Sequence, residues 1–258
     1  MFVRIVSSII LLPVLALILI NGGVPLYLGV MVISLMAIKE FYDAFRNKSF
    51  NGVSWLGYLS TLIIYFGAIL QMDSRYITCG FFIVFFILCI LLVRRKYNVI
   101  DMGITFLGII YIPYLLKYII LISKFSNYNY IYLIFVIAWM TDTFAYFSGY
   151  FFGKHKLIPA VSPKKTIEGS IGGVIGSSLS CVVFGYIFGF DLMHMGIIGL
   201  IGSMIAQIGD LFASAIKRFL EVKDYGKLIP GHGGILDRFD SIILTAPFVY
   251  YYIYFFID

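Results

Sequence analysis

The length of its apolar runs limits how this chain can fold more than any other feature. Nine stretches, 5–20, 24–42, 53–71, 76–93, 101–122, 128–150, 168–190, 194–216 and 241–257, are dominated by aliphatic and aromatic residues. Each approaches or reaches the roughly 17 to 25 residues that a helix needs to cross a bilayer. A water-soluble chain of 258 residues could not hide a composition that is 61 % apolar and 12 % charged. Lipid is the solvent these runs suit, and in lipid only helices or closed barrels satisfy their own backbone. The run lengths fit helices, so the sequence predicts an all-α polytopic integral membrane protein with about nine transmembrane helices. Pro13 and Pro113 are compatible with this, because neighbouring helices can satisfy the carbonyls a proline releases. The first run follows Arg4 and leads into another apolar run, with no small-residue cleavage site, so it reads as a retained helix rather than a signal peptide.

Nine spans put the termini on opposite sides. The N-terminus and the connections near 43–52, 94–100, 151–167 and 217–240 then share one side and carry sixteen of the nineteen Lys and Arg residues. Arg75, Lys124 and Lys117 are left for the other. Basic loops stay in the cytoplasm, which puts the N-terminus and both long loops inside and Asp258 outside. The formal charge of +6 is scattered over loops and suits an anionic membrane face better than a nucleic acid. Cys79, Cys89 and Cys181 are isolated in apolar segments and suggest neither a disulfide frame nor a thiolate site. Residues 1–125 read as a transmembrane scaffold, and 126–258 as a catalytic region with two polar loops, 151–167 and 217–240. In the scaffold, Glu40 beside Lys39 reads as an interfacial ion pair or as a supporting group for a site.

The polar residues of the second region are concentrated. Nine of the chain's 32 charged residues fall between Ser214 and Asp240, and a tenth, Asp210, lies just upstream. Asp210, Ser214 and Lys217 are spaced to share one helix face. Pro230-Gly231-His232-Gly233-Gly234 is an open-backbone turn able to approach a ligand closely. Asp237 and Asp240 follow on one side of the last helix, with Arg238 between them. The 154–169 loop adds Lys154, Lys156, Lys164 and Lys165, with Ser162 and Thr166 at the head of the next helix, where free amides and the dipole favour an anion. The run Gly169, Ser170, Gly172, Gly173, Gly176, Ser177 that follows is a close-packing surface. Asp142 lies inside an apolar helix, facing either a polar cavity or a hydrogen-bonding neighbour. Carboxylates beside hydroxyls and many cations suit phosphoryl or nucleotidyl transfer, in which Mg²⁺ takes carboxylate and phosphate oxygens. Zinc chemistry lacks its histidines, since His155, His194 and His232 are far apart, and no P-loop or GxSxG elbow is present.

The run Ser214-x-Ile216-Lys217-Arg218-x4-Lys223-Asp224-x-Gly226-x2-Ile229-Pro230-x-His232-Gly233-Gly234-Ile235-x-Asp237-Arg238-Phe239-Asp240 resembles the signature of the phosphatidate cytidylyltransferases, or CDP-diacylglycerol synthases. SPKKTxEG at 162–169 and Asp142-x2-Ala145-Tyr146 are similar to further stretches of that family. The likeness is clear from about 140 onward and rests before that only on hydrophobic character. It implies transfer of CMP from CTP to phosphatidic acid, dependence on one or two Mg²⁺ ions, a homodimer, and a cell-membrane enzyme with its site facing the cytoplasm. It fits a site in which Asp210, Asp237 and Asp240 hold metal. Lys217 and Ser214 then assist the reaction, while Arg218, Lys223, His232, Arg238, Ser162, Lys164, Lys165, Thr166 and Asp142 bind substrate. A transferase using another lipid acceptor and a polytopic transporter are the alternatives. The transporter leaves unexplained why the charged groups gather in one hairpin instead of at the membrane midplane.

Overall fold

Apolar runs become helices wherever turn residues allow, and the computed structural model follows that division closely. It describes residues 2–231 and 233–258; for 2–10, 12 and 74 only the backbone is described. In order, the elements are α1 (Phe2–Asn21), α2 (Gly23–Arg46), α3 (Ser54–Ile69), α4 (Ser74–Val93), α5 (Val99–Ile109), a π-helical turn (Ile110–Tyr114), α6 (Leu115–Ile122), α7 (Tyr130–Phe152), strands β1 (Lys156–Ile158) and β2 (Ser162–Thr166), α8 (Ile167–Phe188), α9 (Leu192–Phe219) and α10 (Leu236–Phe256). The protein is all-α and polytopic. Among the described residues, seven helical segments are long and apolar enough to cross a membrane, α5 through α6 counting as one. The 53–71 run forms the shorter, 16-residue α3, and the 5–20 run lies in α1. Large apolar side chains point outward, Phe82 at 71 % and Phe86 at 66 % exposure on α4, as lipid-facing helices require.

By packing, the chain forms two units: residues 1–120 with 220–238, and 121–219 with 239–258. Tyr42 organises the first. It is fully buried and donates to the Thr105 carbonyl at 2.9 Å. Its ring lies against Gly57 of α3 and Gly108 of α5, where a Cβ would collide with it. Asp101 closes a capping box with Asn98 at the start of α5 and accepts the Asn51 amide at 2.7 Å, which fixes the preceding loop. Pro113 interrupts the ladder within the π turn, and its carbonyl accepts from the buried Tyr65 hydroxyl at 3.3 Å.

The second unit is held by small residues. Gly169, Gly172, Gly173 and Gly176 of α8 lie so close to α7 that a Cβ on any of them would meet Ala145, Ser148, Thr141 or Phe144. This is the packing role expected of that run. Gly199 of α9 meets Ser178 of α8 in the same way, and the Ser178 hydroxyl donates to the Gly196 carbonyl at 2.8 Å. Polar links cross the same helices: Thr141 to Ser203 at 2.8 Å, and Ser170 to Gln207 at 2.5 Å. The 151–167 loop contains an antiparallel hairpin pairing Lys156 with Thr166 and Ile158 with Ser162.

Candidate active site

In the second unit, α9 carries Asp210, Ser214 and Lys217 on one face, and α10 carries Asp240. Gly209 brings the two helices together. A Cβ there would lie 2.8 Å from the Asp240 carbonyl oxygen and 3.4 Å from the Ser241 Cα, so α9 and α10 cross backbone to backbone. Asp240 is buried, and its Oδ1 accepts the Ser241 amide at 2.8 Å and the Ser241 hydroxyl at 3.2 Å. The charges of Asp210, Lys217 and Asp142 lie within electrostatic range of its carboxylate. Ser214 donates to Asp210 Oδ1 at 3.4 Å, as its spacing one turn away suggested.

The hairpin supplies the counter-charge. Successive side chains of a strand face opposite ways, so of two adjacent lysines on β2 only one turns inward. Lys165 is half-buried and its Nζ is ion-paired with Asp210 Oδ2, whereas Lys164 is exposed. Ser162 opens the strand, half-buried. Arg218, at the end of α9, donates through Nε to the Val161 carbonyl at 3.1 Å, tying the hairpin to the helix.

At the head of α8 the chain supplies its own helix cap. The Thr166 hydroxyl accepts the Gly169 amide at 3.1 Å as an N-cap. Glu168 accepts the amides of Lys154 at 3.1 Å and His155 at 3.3 Å, and pairs with His155 Nδ1 at 2.7 Å. Thr166 thus serves one of the free amides at the start of α8, and Glu168 holds the loop that follows α7.

The first unit holds the loop before α10. Asp237 is buried, and its Oδ2 accepts two amides, Tyr225 at 2.8 Å and Gly234 at 3.0 Å. Reaching back to Gly234, it acts as the acid of a capping box does. The other half of that box would be an oxygen at the helix head, where the sequence has only glycines and Ile235. Glu40 of α2 supplies it: Oε1 accepts the Ile235 amide at 3.1 Å and Oε2 the Leu236 amide at 2.9 Å. A Cβ on Gly226 or Gly234 would run into the Glu40 carboxylate, which is why the loop needs glycine at both positions. This corrects the reading of Glu40 as an ion pair with Lys39, since its oxygens are spent on a backbone 195 residues away. The sequence signal was a carboxylate in an apolar helix beside Lys39, compatible with an ion pair or with a supporting role. Lys223 and Arg238 are exposed, and His232 lies outside the described residues.

Among the described residues no three acidic, histidine or cysteine side chains form a metal cage. A small, hard cation such as Mg²⁺ takes only one or two protein carboxylates and completes its shell with water and substrate phosphates. The Asp210–Asp240 pair, two acids within electrostatic range of each other with Lys165 bound to Asp210, suits such an ion. Asp237 already gives one oxygen to two amides.

Known proteins resemble this chain over nearly its whole length. A family model described as "Cytidylyltransferase family" matches residues 2–256. The chain is 31 % identical over 260 residues to the phosphatidate cytidylyltransferase of Bacillus subtilis, with 96 % of each chain covered. It is 33 % identical over 256 residues to the enzyme of that name from Staphylococcus haemolyticus, and 34 % over 256 residues to that from Staphylococcus saprophyticus, again with 96 % of each covered.

Proposed function

The chain belongs to the cytidylyltransferase family, and from that premise we propose that it transfers CMP from CTP to phosphatidic acid, giving CDP-diacylglycerol and pyrophosphate. The observation that carries this reading is the Asp210–Asp240 pair. Two acids held close inside a membrane protein repel each other unless cations lie among them, and here Lys165 and Lys217 do. A nucleoside triphosphate with its counter-ion needs such a place.

A phosphate oxygen of phosphatidic acid, anionic at neutral pH, attacks the α-phosphorus of CTP. The new O–P bond forms as the bond from the α-phosphorus to the oxygen bridging to the β-phosphate breaks, and pyrophosphate leaves with that electron pair. The nucleophile carries no proton to remove, so the chain needs neither a general base nor a covalent intermediate. Asp210 and Asp240 would hold Mg²⁺, which when bound neutralises triphosphate charge. Lys165 and Lys217 hold phosphate oxygens as point charges, and Lys165 exchanges Asp210 for substrate as it does so. Ser214 fixes the orientation of the Asp210 carboxylate. Arg218 secures the hairpin, and Asp237 shapes the turn that leads into α10. Lys164 adds exposed positive charge for the incoming anionic nucleotide. The Lys and Arg bias of the loops supports a cytoplasmic site. A homodimer rests on the family resemblance alone.

Purified protein in detergent, given α-labelled CTP, is expected to label lipid only when phosphatidic acid and Mg²⁺ are both present, with one pyrophosphate released per lipid. Label entering an isoprenyl phosphate in preference to phosphatidic acid would replace the acceptor. Absence of labelled lipid from both would end the reading.

A further inference from the structure

Within the first unit, one buried cation has no role in the chemistry above. Lys117 of α6 is 8 % exposed and lines a cavity of about 380 Å³ between α4 and the α5–α6 rod. Among the described residues its ammonium meets two ring faces, Tyr114 with the centroid at 3.6 Å and Tyr118 at 5.4 Å, and no carboxylate. Ring faces attract a cation, but they cancel none of its charge. A buried ammonium with no acid beside it is costly to keep charged, and an anion brought to it offsets that cost.

The rest of the cavity says which kind of anion. Ile77 and Phe81 of α4 with Phe106 and Ile110 of the facing rod give the cavity an apolar lining, to which Thr78 and Lys117 add polar groups. Such a cavity takes a long hydrocarbon ending in an acid. Depth agrees. Lys117 is 117 − 99 = 18 residues beyond Val99, or about 27 Å along the rod, against a hydrocarbon thickness of roughly 30 Å. The ammonium therefore lies near the headgroup level at the end of the rod away from Val99. The π turn, where Pro113 breaks the regular ladder, alters the helix phase just before Tyr114 and Lys117, and π bulges recur at functional sites.

We propose that this cavity binds an anionic phospholipid from the leaflet at that end of the rod, its phosphate on Lys117 and one acyl chain along Ile77, Phe81 and Ile110. The site is separate from the chemistry proposed for the second unit and does not depend on it. The probe is phosphatidylglycerol, whose phosphodiester is not the phosphomonoester acceptor assigned to the reaction. Native mass spectrometry of the full-length protein, delipidated and re-supplied with lipid, should show phosphatidylglycerol retained about tenfold better than phosphatidylcholine, the usual scale of one charge-assisted contact. Lys117→Met should abolish the preference and Lys117→Arg should restore it, while Asp240→Asn, which alters the other site, should leave it intact. Ile77→Trp, which fills the cavity and keeps the cation, should also lower retention.

Equal retention of the two lipids by the unaltered protein overturns the proposal, and this measurement does not depend on any variant folding. A preference that survives Lys117→Met overturns it as well. So does thermal stabilisation by inorganic phosphate equal to that by the lipid, or a second copy of the chain that leaves with the lysine in place of lipid.

Discussion

Asp237 and Asp240 stand three residues apart on one helix and are buried alike, at 9 % and 7 % exposure, yet they keep different company. The Asp237 carboxylate accepts amides from Tyr225 and Gly234, at points in the loop that only a correctly folded backbone can supply. Asp240 is surrounded by side-chain charge from Asp210, Lys217 and Asp142. An acid that gives an oxygen to two backbone amides is tied to the fold, and exchanging those partners means opening a loop. An acid set among side-chain charges, one of them the Lys217 ammonium, can trade that ammonium for a cation and a triphosphate. Spacing on a helix makes the two acids look alike in sequence. The partner atoms decide which of them is available.

The largest effect expected is the loss at Asp240. Asp240→Asn should cut CMP transfer at least about 100-fold, the scale for disturbing a metal site, with the fold retained by circular dichroism. Asp237→Asn should instead lower stability by about 1–3 kcal/mol, since one buried acceptor now faces two amides with an amide of its own. Its activity should recover on cooling. If Asp237→Asn were fully stable and could be rescued only by raised Mg²⁺, Asp237 would be a third ligand and the contrast between the two aspartates would fail.

The difference between these acids also marks what could be read in advance. The 3.6-residue repeat placed Asp210 with Ser214, and run length gave the helices, because both are local properties of a chain in lipid. The small-residue run 169–177 announced its own packing for the same reason. Glu40 could not be read, since its partners are backbone amides at 235 and 236, and an amide has no letter in a sequence. The division between Lys164 and Lys165 was hidden too. It depends on the 162–166 segment being a strand, and five residues with two lysines and a proline give little strand signal.

Glu40 sharpens the comparison from outside the helix. Glu40→Gln keeps one good acceptor for the Ile235 and Leu236 amides, and Glu40→Ala keeps none. Removing a helix cap costs about 0.5–2 kcal/mol, so Glu40→Ala should melt below Glu40→Gln, and both below the unaltered protein. If Glu40 serves by setting the angle at which α10 starts, kcat should fall about tenfold in Glu40→Ala while the KM for CTP changes little. Glu40→Gln should recover most of the loss. A change confined to melting temperature would leave Glu40 as a cap and nothing more.

The smallest effect belongs to an acid whose partner is a cation at the surface. Glu221 follows α9 and pairs with Lys48 at 2.8 Å, both ends open to solvent. That hydrogen bond and charge hold its carboxyl below the usual range. A depressed acid contributes stability above its unfolded pKa, and the contribution fades as pH falls through the folded value. Exposed pairs contribute little and salt screens them. Glu221→Gln should therefore change CMP transfer by less than about twofold. Any gap in melting temperature between it and the unaltered protein should be widest near neutral pH in low salt, and should close both in acid and in high salt. A gap as large as that of Asp237→Asn, or one indifferent to salt, would mean that Glu221 is held by the fold in the way Asp237 is, and that open charge and backbone capture are not the distinction that separates these carboxylates.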